Sequence, residues 1–503
     1  MKDLTAVASD PAPPANEASP ATGARWATRV TPVEGLSWAR MLAWLERQRE
    51  QGEAIVAWSD PEEGLEWVAS GTLVAAEVSC LKELERVRSA WIELEPEPRL
   101  PLAWVGAAFD PGRCDGPWEG WPAALAVVPR RLVWLRRPAS GPPQPPVGQP
   151  EGDASALASE WPPEPEEPPG PAGGVLIRAE DPARAEAELL ATLSALEGAA
   201  PAPGGSPAAG LARHAPERPD SWAARVREAL EAAGRGELDK VVLARAVAHS
   251  LPPGAACAGR GWDVAGTLER LRAEDPAAIL YAFSPGPERG CFLGATPELL
   301  VRVRGRRVEA VALAGTARRG RDEADDQARG AALLASDKDQ REHALVSQAI
   351  RAVLRPACRL LHQPRRPGLR VLPRLLHLET RFLGLLAARG RALSLAAALH
   401  PTPAVAGAPR EPALEWLRQR EPLGRGWFAG PVGWIDARGG GTLAVALRCA
   451  LLRGPRAWSF AGAGIVPGSD PAAEWLETEG KLATISRALQ VGADRAPSTG
   501  GPA

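Results

Sequence analysis

Short turns separate most of the strand-like segments in the second half of the chain, and this spacing constrains the fold more than any other feature. The strand-like segments are 240–249, 277–284, 291–295, 299–316 (a hairpin that turns at Gly305), 427–436, 441–453 and 458–466. Helical patterns cover 338–354 and 470–490, and the second begins with Asp470 as predicted N-cap and Pro471 at its first position. Strands joined by short turns, with long helices between the groups, predict an α+β fold with a large antiparallel β-sheet core flanked by helices.

The first half of the chain extends this domain. Residues 31–137 contain a helical segment (41–50), strand-like segments (54–60 and 66–78) and a hairpin-like segment (124–137), and we expect them to form its N-terminal part. The other expected regions are a disordered tail at 1–30, a Pro-rich flexible insertion at 138–175, the catalytic core at 176–492 and a disordered tail at 493–503.

Charge and cysteine content exclude several classes of protein. The chain has 59 Lys and Arg against 61 Asp and Glu, a formal net charge of −2, which argues against a nucleic-acid-binding protein. Its six cysteines form no CxxC pair, so we expect neither a disulfide framework nor a zinc site. There is no apolar run of about 18 residues to span a membrane and no apolar stretch of a signal peptide. We therefore expect a cytoplasmic protein.

The last predicted helix carries charged residues in line with apolar ones. Glu474, Glu477, Lys481 and Ile485 fall on one face at 3.6 residues per turn. Two carboxylates one turn apart, beside a lysine, could hold a divalent cation and an anionic ligand side by side. The alternative is a surface salt bridge between Glu477 and Lys481.

Two further charged residues interrupt apolar or small neighbours. Glu342 lies one turn before the apolar stripe of helix 338–354, where a carboxylate is costly unless it is paired or bound to metal. The alternative is an exposed helix start, where acids are favoured. Arg448 lies on a strand face otherwise made of alanines, which leaves room for a carboxylate or phosphate against its guanidinium. An ion pair across strands is the alternative.

Lys240 and Glu298 are the candidates for proton transfer. Lys240 begins a strand and shares its face with Val242, Ala244 and Ala246, and apolar surroundings would lower the pKa of its amine from about 10.4 toward that of a general base. A strand-end lysine that reaches water is the alternative. Glu298 lies in a turn between strands and could be a general acid if that turn covers a pocket.

Small residues and one histidine complete the candidates. These are Gly315-Thr316 at the end of a strand, Gly462-Ala463-Gly464 between a strand and a helix, and His400 in the segment LHPTPAVAG. Glycine permits close approach of the backbone to a ligand, although turns and a structural histidine explain the same residues.

At these residues the chain resembles the chorismate-utilising enzyme family, which includes anthranilate synthase component I, and within it the isochorismate synthases. The matching segments, in the family's order, are LDKVVLARAV (238–247), FLGATPELLVRV (292–303), EAVALAGTARRG (309–320), SDKDQREHALV (336–346), LHPTPAVAGAP (399–409), RGWFAGPVGWID (425–436), LAVALRCALL (443–452) and AGAGIVPGSDPAAEWLETEGK (461–481). So many collinear matches are highly specific, and the resemblance covers roughly 240–485.

The resemblance implies a role for each candidate. Mg²⁺ would bind the substrate's ring carboxylate through Glu342 and Glu477, with Glu474 in the same acidic cluster. Lys240 would activate water for attack at C2 of chorismate, and Glu298 would protonate the departing C4 hydroxyl. The residues implied in substrate binding are Gly315, Thr316, His400, Arg448, Gly462, Ala463, Gly464 and Lys481.

Two positions distinguish the branches of the family. The base Lys240 argues against anthranilate synthases, which use ammonia, and Ala314 stands where aminodeoxychorismate synthases carry a nucleophilic lysine. We therefore expect an isochorismate synthase for menaquinone or siderophore biosynthesis, acting on chorismate as a monomer without a glutaminase subunit. The alternatives are a salicylate synthase and a catalytically silent paralogue. Phe428 and Ala406 depart from the family's common Tyr and Gly.

Overall fold

In the described part of the chain, hydrogen bonds join twenty strands into one continuous sheet, and the strand pairings are antiparallel. The structure is a computed structural model that describes residues 27–91, 100–137, 172–199, 211–251 and 261–489. The strands are β1 (Ala27–Pro32), β2 (Ile55–Asp60), β3 (Leu65–Val78), β4 (Ala103–Ala107), β5 (Ala124–Arg136), β6 (Gly173–Ala179), β7 (Ala212–His214), β8 (Lys240–Ser250), β9 (Ile279–Gly286), β10 (Gly290–Thr296), β11 (Leu299–Arg304), β12 (Arg307–Arg318), β13 (Cys358–His362), β14 (Gly368–Val371), β15 (Leu375–Leu386), β16 (Gly407–Ala408), β17 (Pro431–Ile435), β18 (Gly441–Val445), β19 (Cys449–Arg453) and β20 (Arg456–Ile465).

Helices pack against this sheet. They are α1 (Trp38–Glu50), α2 (Leu84–Trp91), α3 (Pro182–Glu197), α4 (Pro219–Gly234), α5 (Val264–Glu274), α6 (Glu323–Ala335), α7 (Asp337–Ala357), α8 (Ala392–Leu399), α9 (Arg410–Arg420) and α10 (Pro471–Leu489). The predicted cap of α10 is confirmed, because Ala473 N donates to Asp470 Oδ1 at 2.8 Å. Among the described residues, no helix is both long enough and apolar enough to span a bilayer.

The pairing follows one path across the molecule. It runs from β8 through β20, β19, β10, β9, β2, β3, β5, β4, β17, β18, β11 and β12 to β15. Strands from the first 136 residues therefore lie in the middle of a path that later strands complete. The predicted α+β fold with a large antiparallel core is confirmed.

Side chains on the two faces of the sheet enter two separate apolar clusters. On β2, Val56 and Trp58 belong to the larger cluster, whereas Ile55 and Ala57 belong to a second cluster that includes residues of α1, α3 and α5. This alternation follows from the two-residue period of a strand. Because both faces are covered, all six residues of β2 are buried.

The predicted hairpin at 124–137 is wrong, since these residues form the single strand β5. β5 pairs with β3 along its length, and Pro129 lies opposite Thr72 where the register shifts before Val74. A bulge accommodates a proline that cannot donate a backbone hydrogen bond. Arg130 and Arg131, which follow Pro129, therefore belong to β5.

Two expected region boundaries also differ from the structure. β1 begins at Ala27, within the predicted tail, and pairs with β6 from Ala27–Ala179 to Pro32–Gly174. β6 begins at Gly173, within the predicted insertion. A backbone hydrogen bond of 2.6 Å from Arg136 N to Ala172 O joins the two sides of that insertion. The rest of the predicted tails and insertion, 1–26, 138–171 and 490–503, lies outside the described residues.

Candidate active site

A pocket of about 130 Å³ lies where the two ends of the sheet path come together. Residues of β8 and β20 form part of its wall, residues of β12 and β15 form another part, and α7 and α10 supply charged side chains. The predicted site residues that line it are Glu298, Gly315, Thr316, Glu342, Arg448, Gly462, Gly464, Glu474, Glu477 and Lys481. Motifs that are distant in the sequence therefore meet in one cavity.

Each of the three predicted acidic ligands forms an ion pair with a lysine. The pairs are Glu342 Oε1 with Lys240 Nζ at 2.9 Å, Glu474 Oε1 with Lys338 Nζ at 3.4 Å, and Glu477 Oε1 with Lys481 Nζ at 2.7 Å. The predicted salt bridge between Glu477 and Lys481 therefore exists, but at the wall of a cavity. Lys338 was missed in the sequence because it precedes the apolar stripe of its helix and resembles an ordinary exposed lysine.

The two glutamates of α10 differ in their electrostatics. Burial opposes ionisation of Glu477, but the charge of Lys481 and its hydrogen bond outweigh this effect and lower the pKa of Glu477. Burial raises the pKa of Glu474, and the negative charge of Glu477 raises it further. A cation placed between these acids would relieve that repulsion.

The donor set fits Mg²⁺ better than a metal that is bound entirely by protein groups. Among the described residues, no three carboxylate, imidazole or thiolate side chains are close enough to hold a metal without help. Mg²⁺ usually takes one or two carboxylates, keeps several waters and accepts substrate oxygens as further ligands. Glu342 and Glu477, both at the pocket wall, match this requirement.

Glu298 is a buried acid, with 5% of its surface exposed. It follows β10 in the turn to β11, where its N–H donates to Thr296 Oγ1 at 3.2 Å and its carbonyl accepts from Val445 N at 3.0 Å. Burial raises the pKa of its carboxyl to about 7, against the opposing charges of Lys240, Lys481 and Arg448. Glu298 can therefore hold a proton near neutral pH and release it into the pocket.

Arg448 lines the pocket in a backbone conformation that the sequence did not predict. The strand predicted at 441–453 is broken into β18 and β19, and Arg448 lies in the break with a φ of 47°. Such a value is uncommon for a residue other than glycine. Its carbonyl accepts from Ala295 N at 3.2 Å, and burial lowers the pKa of its guanidinium. The expected alternation of Arg448 with alanines on one strand face is therefore wrong.

Lys240 lies directly behind the pocket wall. Its side chain is 1% exposed, and Glu342, its ion-pair partner, lines the cavity in front of it. Gly464 makes room for both, since a Cβ there would lie 3.0 Å from Glu342 Oε1 and 3.0 Å from Lys240 Cε. Any larger residue at position 464 would therefore disturb this pair.

The segment Gly462-Ala463-Gly464 was predicted to lie between a strand and a helix. In the structure it lies inside β20. Because side chains alternate along a strand, Gly462 and Gly464 face the pocket, whereas the fully buried Ala463 belongs to the larger apolar cluster. The structure therefore does not bring Ala463 to the site. The carbonyl of Gly462 accepts from Lys481 Nζ at 2.8 Å.

His377 on β15 is a pocket residue that sequence reasoning missed. Its Nδ1 is 3.2 Å from Gly315 O and 3.0 Å from Thr316 Oγ1, so Nδ1 carries the proton that a carbonyl acceptor requires. Burial, with the charges of Arg448 and Lys481, lowers its pKa to about 3, which keeps the ring neutral. Its Nε2 has no hydrogen-bond partner within the described ranges, and it can accept a hydrogen bond from a hydroxyl.

His400 is not part of the pocket. It follows α8 at the C-cap, where its Nε2 lies 3.3 Å from Phe109 O. Burial lowers the pKa of this imidazole to about 3, so it is a neutral structural residue. The structure does not bring His400 to the pocket, and its contacts fit the structural alternative.

Comparison with known proteins matches this architecture to one family. Residues 175–490, more than half of the chain, match the family model described as chorismate binding enzyme. The salicylate biosynthesis isochorismate synthase of Pseudomonas aeruginosa is 45% identical over 278 residues, which are 55% of this chain and 56% of that protein. Isochorismate synthase EntC of Escherichia coli K12 is 45% identical over 250 residues, 50% of this chain and 62% of that protein. The match thus covers less than two thirds of either relative.

A solved structure agrees over nearly the whole fold. MenF, the menaquinone-specific isochorismate synthase of Escherichia coli, superposes with a TM-score of 0.71 over 93% of this chain and 94% of its own. At 24% identity this likeness concerns the fold. The family match, the fold and the pocket built from the motifs lead to the same conclusion, namely that the chain belongs to the chorismate-binding enzyme family.

Proposed function

We propose that this protein is an isochorismate synthase, an isomerase that converts chorismate to isochorismate by adding water at C2 and removing the C4 hydroxyl. The observation that carries the proposal is Glu298, a buried carboxyl with a pKa of about 7, next to the cations Lys240, Lys481 and Arg448. A proton donor and a group of cations at one cavity are what this exchange of hydroxyls on a dianion requires.

Substrate orientation is assigned to the cations and the backbone of the pocket. Chorismate carries two carboxylates, and Arg448 and Lys481 would bind one of them. Gly462 and Gly464 line the pocket, and glycine lets the backbone come close to a ligand. Arg448 is partly buried, which reduces the screening by water of its attraction for a carboxylate. These contacts would hold the ring so that C2 and C4 face the two proton-transfer groups.

Proton transfer is assigned to Lys240 and Glu298. Lys240 would take a proton from the water that attacks C2, while the ring double bonds shift and the bond from C4 to its hydroxyl breaks. Glu298 would give its proton to that hydroxyl, which leaves as water, so one water enters and one leaves. Lys240 is paired with Glu342 at 2.9 Å, and it must exchange this partner before it can act as a base.

Mg²⁺ is the cofactor that we propose. Glu342 and Glu477 would be its protein ligands, with Glu474 in the same acidic cluster. When bound, the ion would offset the negative charge of the substrate's ring carboxylate and help to fix its position. An ion bound by Glu342 would also compete with Lys240 for this carboxylate and so free the amine of Lys240 from its ion pair.

The biosynthetic pathway that uses the product is part of the same proposal, and it rests on what similar proteins are named for. One relative is named for salicylate biosynthesis and one solved structure for menaquinone. We propose that isochorismate from this protein enters menaquinone or siderophore biosynthesis. We further propose that the enzyme works in the cytoplasm as a monomer. A glutaminase subunit is not needed in this proposal, because Lys240 would make water the nucleophile in place of ammonia.

The test is a product analysis of the purified full-length protein. Chorismate and Mg²⁺ are supplied with or without EDTA and ammonia, and the products are separated by chromatography. The proposal expects isochorismate that disappears with EDTA and does not change with ammonia. Salicylate with pyruvate would assign the protein as a salicylate synthase, and metal-dependent binding of chorismate without turnover would make it a silent paralogue. An amino product that requires ammonia would refute the proposed role of Lys240.

A further inference from the structure

β8, the strand that begins with Lys240, has one edge that is almost fully paired and one edge that is paired only at its ends. β20 pairs with β8 from Val241 to Ser250. On the other edge, β16 pairs with Lys240 and Val241, and β7 pairs with 248–250. Within the described part of the chain, no strand covers 242–247 on that edge. These residues are buried, so their backbone groups require other partners.

A buried ion pair supplies these partners. Glu421 is the C-cap residue of α9, and its Oε1 lies 2.5 Å from Nη2 of Arg425. The same Nη2 donates to Val242 O at 2.6 Å, and the same Oε1 accepts from Ala244 N at 2.9 Å. Arg225 completes the edge, because its Nη2 donates to Ala244 O at 3.1 Å. Charged side chains therefore take the place of a neighbouring strand.

The guanidinium of Arg425 has its nitrogen atoms occupied by protein acceptors. Nε donates to Glu421 Oε2 at 2.8 Å, and Nη1 donates to Val405 O at 2.7 Å. Its central carbon lies 4.1 Å from the centre of the Phe109 ring. Arg425 is one of the residues at the pocket wall and is 5% exposed. These contacts tie β8 to the chain around Val405 and leave the guanidinium engaged within the protein.

The position of Lys240 depends on this edge of β8. Val242, whose carbonyl Arg425 holds, lies two residues after Lys240, so the two side chains share a strand face. A shift of the strand at Val242 would move the amine of Lys240 relative to the pocket. A displacement of about 1 Å can lower the rate of a reaction by about 10², because the reacting groups must be aligned.

We propose that Arg425 and Glu421 are positioning residues, which hold the start of β8 so that Lys240 reaches the water that attacks C2. This inference rests on the proposed function. Neither residue is assigned a contact with the substrate, which Arg448 and Lys481 would bind. Disturbing the ion pair would therefore slow the chemical step and leave the binding of chorismate nearly unchanged.

Steady-state kinetics of the full-length variant Arg425→Lys test the proposal. Lysine keeps the positive charge, but its single ammonium cannot reproduce the planar fork that reaches two carbonyls and a carboxylate. We expect kcat to fall about tenfold or more, while the KM for chorismate changes by less than about twofold. Glu421→Gln breaks the same ion pair from the other side and should act in the same way. An unchanged kcat, or a loss confined to KM, would refute the positioning role.

Arg302→Lys is the matched control for stability. Arg302 is also a buried arginine, paired with Asp60 at 2.7 Å, and neither of these residues lines the pocket. We expect this variant to have a lower melting temperature than the wild type but the same kcat and KM, in assays run below the melting temperature of each variant. An equal fall of kcat in Arg302→Lys would mean that turnover follows stability alone, and would overturn the proposal.

Hydrogen exchange of the backbone amides gives a measurement that does not depend on activity. Mass spectrometry of a peptide that covers 240–247 should show faster exchange in Arg425→Lys than in the wild type and Arg302→Lys, because Ala244 N loses its anchored acceptor. Unchanged exchange would refute the anchoring of β8 by the ion pair. A wild type that makes no isochorismate would refute the proposed function, and the exchange would still decide whether the ion pair anchors this strand.

Discussion

Replacing Glu298 by Gln should have opposite effects on activity and on stability. The carboxyl is 5% exposed, and burial raises its pKa to about 7 from an ordinary value of 4.5. Gln has nearly the shape of a protonated glutamate, but it cannot ionise or donate an acidic proton. The substitution therefore removes a proton donor from the proposed reaction and an unfavourable buried charge from the folded protein.

The size of the stability effect follows from the two pKa values. A raised pKa in the folded state means that the folded protein holds the proton more tightly than the unfolded chain does. The wild type therefore loses stability as the pH rises from 4.5 to about 7, and the total loss is about 3 kcal/mol. The Gln variant loses nothing from this source, so its free energy of unfolding relative to the wild type should increase across that interval.

Urea denaturation at pH 4.5 and pH 8, with EDTA present, measures this difference. Glu298→Gln and the wild type should have similar stability at pH 4.5, and at pH 8 the variant should be more stable by about 3 kcal/mol. Its turnover should be lower by about 10² or more, because the general acid is lost. A constant stability difference between the two pH values would refute the raised pKa, and unchanged turnover would refute the role as acid.

Three other substitutions test separate parts of the structure. Gly464→Ala would place a Cβ 3.0 Å from both Glu342 and Lys240, so turnover should fall about tenfold with little change in melting temperature; unaltered turnover would contradict the crowding. His400→Gln should leave the KM for chorismate unchanged, since His400 is outside the pocket, and a large rise in KM would restore its predicted role. Asp470→Ala removes the N-cap of α10 and should lower the free energy of unfolding by about 1 kcal/mol in chemical denaturation; no loss would mean that the cap contributes nothing.

The sequence alone was enough to predict which residues share a face of a helix or strand, because this depends only on the period of that helix or strand. The face shared by Glu474, Glu477 and Lys481 depends only on 3.6 residues per turn, and the structure places all three at the pocket. Glu342 is a similar case, because one helical turn links it to the apolar stripe of α7. Side-chain alternation in β15 could also have revealed His377, since His377 shares a strand face with Glu379, a pattern that interrupts the apolar residues of that strand.

Tertiary contacts decided the features that the sequence did not predict. Arg448 has a φ of 47° because the chain breaks between β18 and β19, and hydrogen bonds from Ala295 and Tyr281 hold that break in place. Pro129 lies within the segment predicted as a hairpin, but its partner strand β3 supplies a bulge that accommodates it. In both cases a residue distant in the sequence determines the local backbone.

The hydrogen bond between Arg136 and Ala172 has a consequence for how the chain length can vary. β5 and β6 are neighbours in the sheet, so Arg136 and Ala172, described residues on either side of 138–171, lie next to each other. The entropy of closing a loop grows only with the logarithm of its length, about 0.6 kcal/mol for each doubling. Replacing this segment by a four-residue turn should therefore raise the free energy of unfolding by about 2 kcal/mol and leave the register of the sheet unchanged. By the same reasoning, this junction can accept a foreign domain whose own ends are close together.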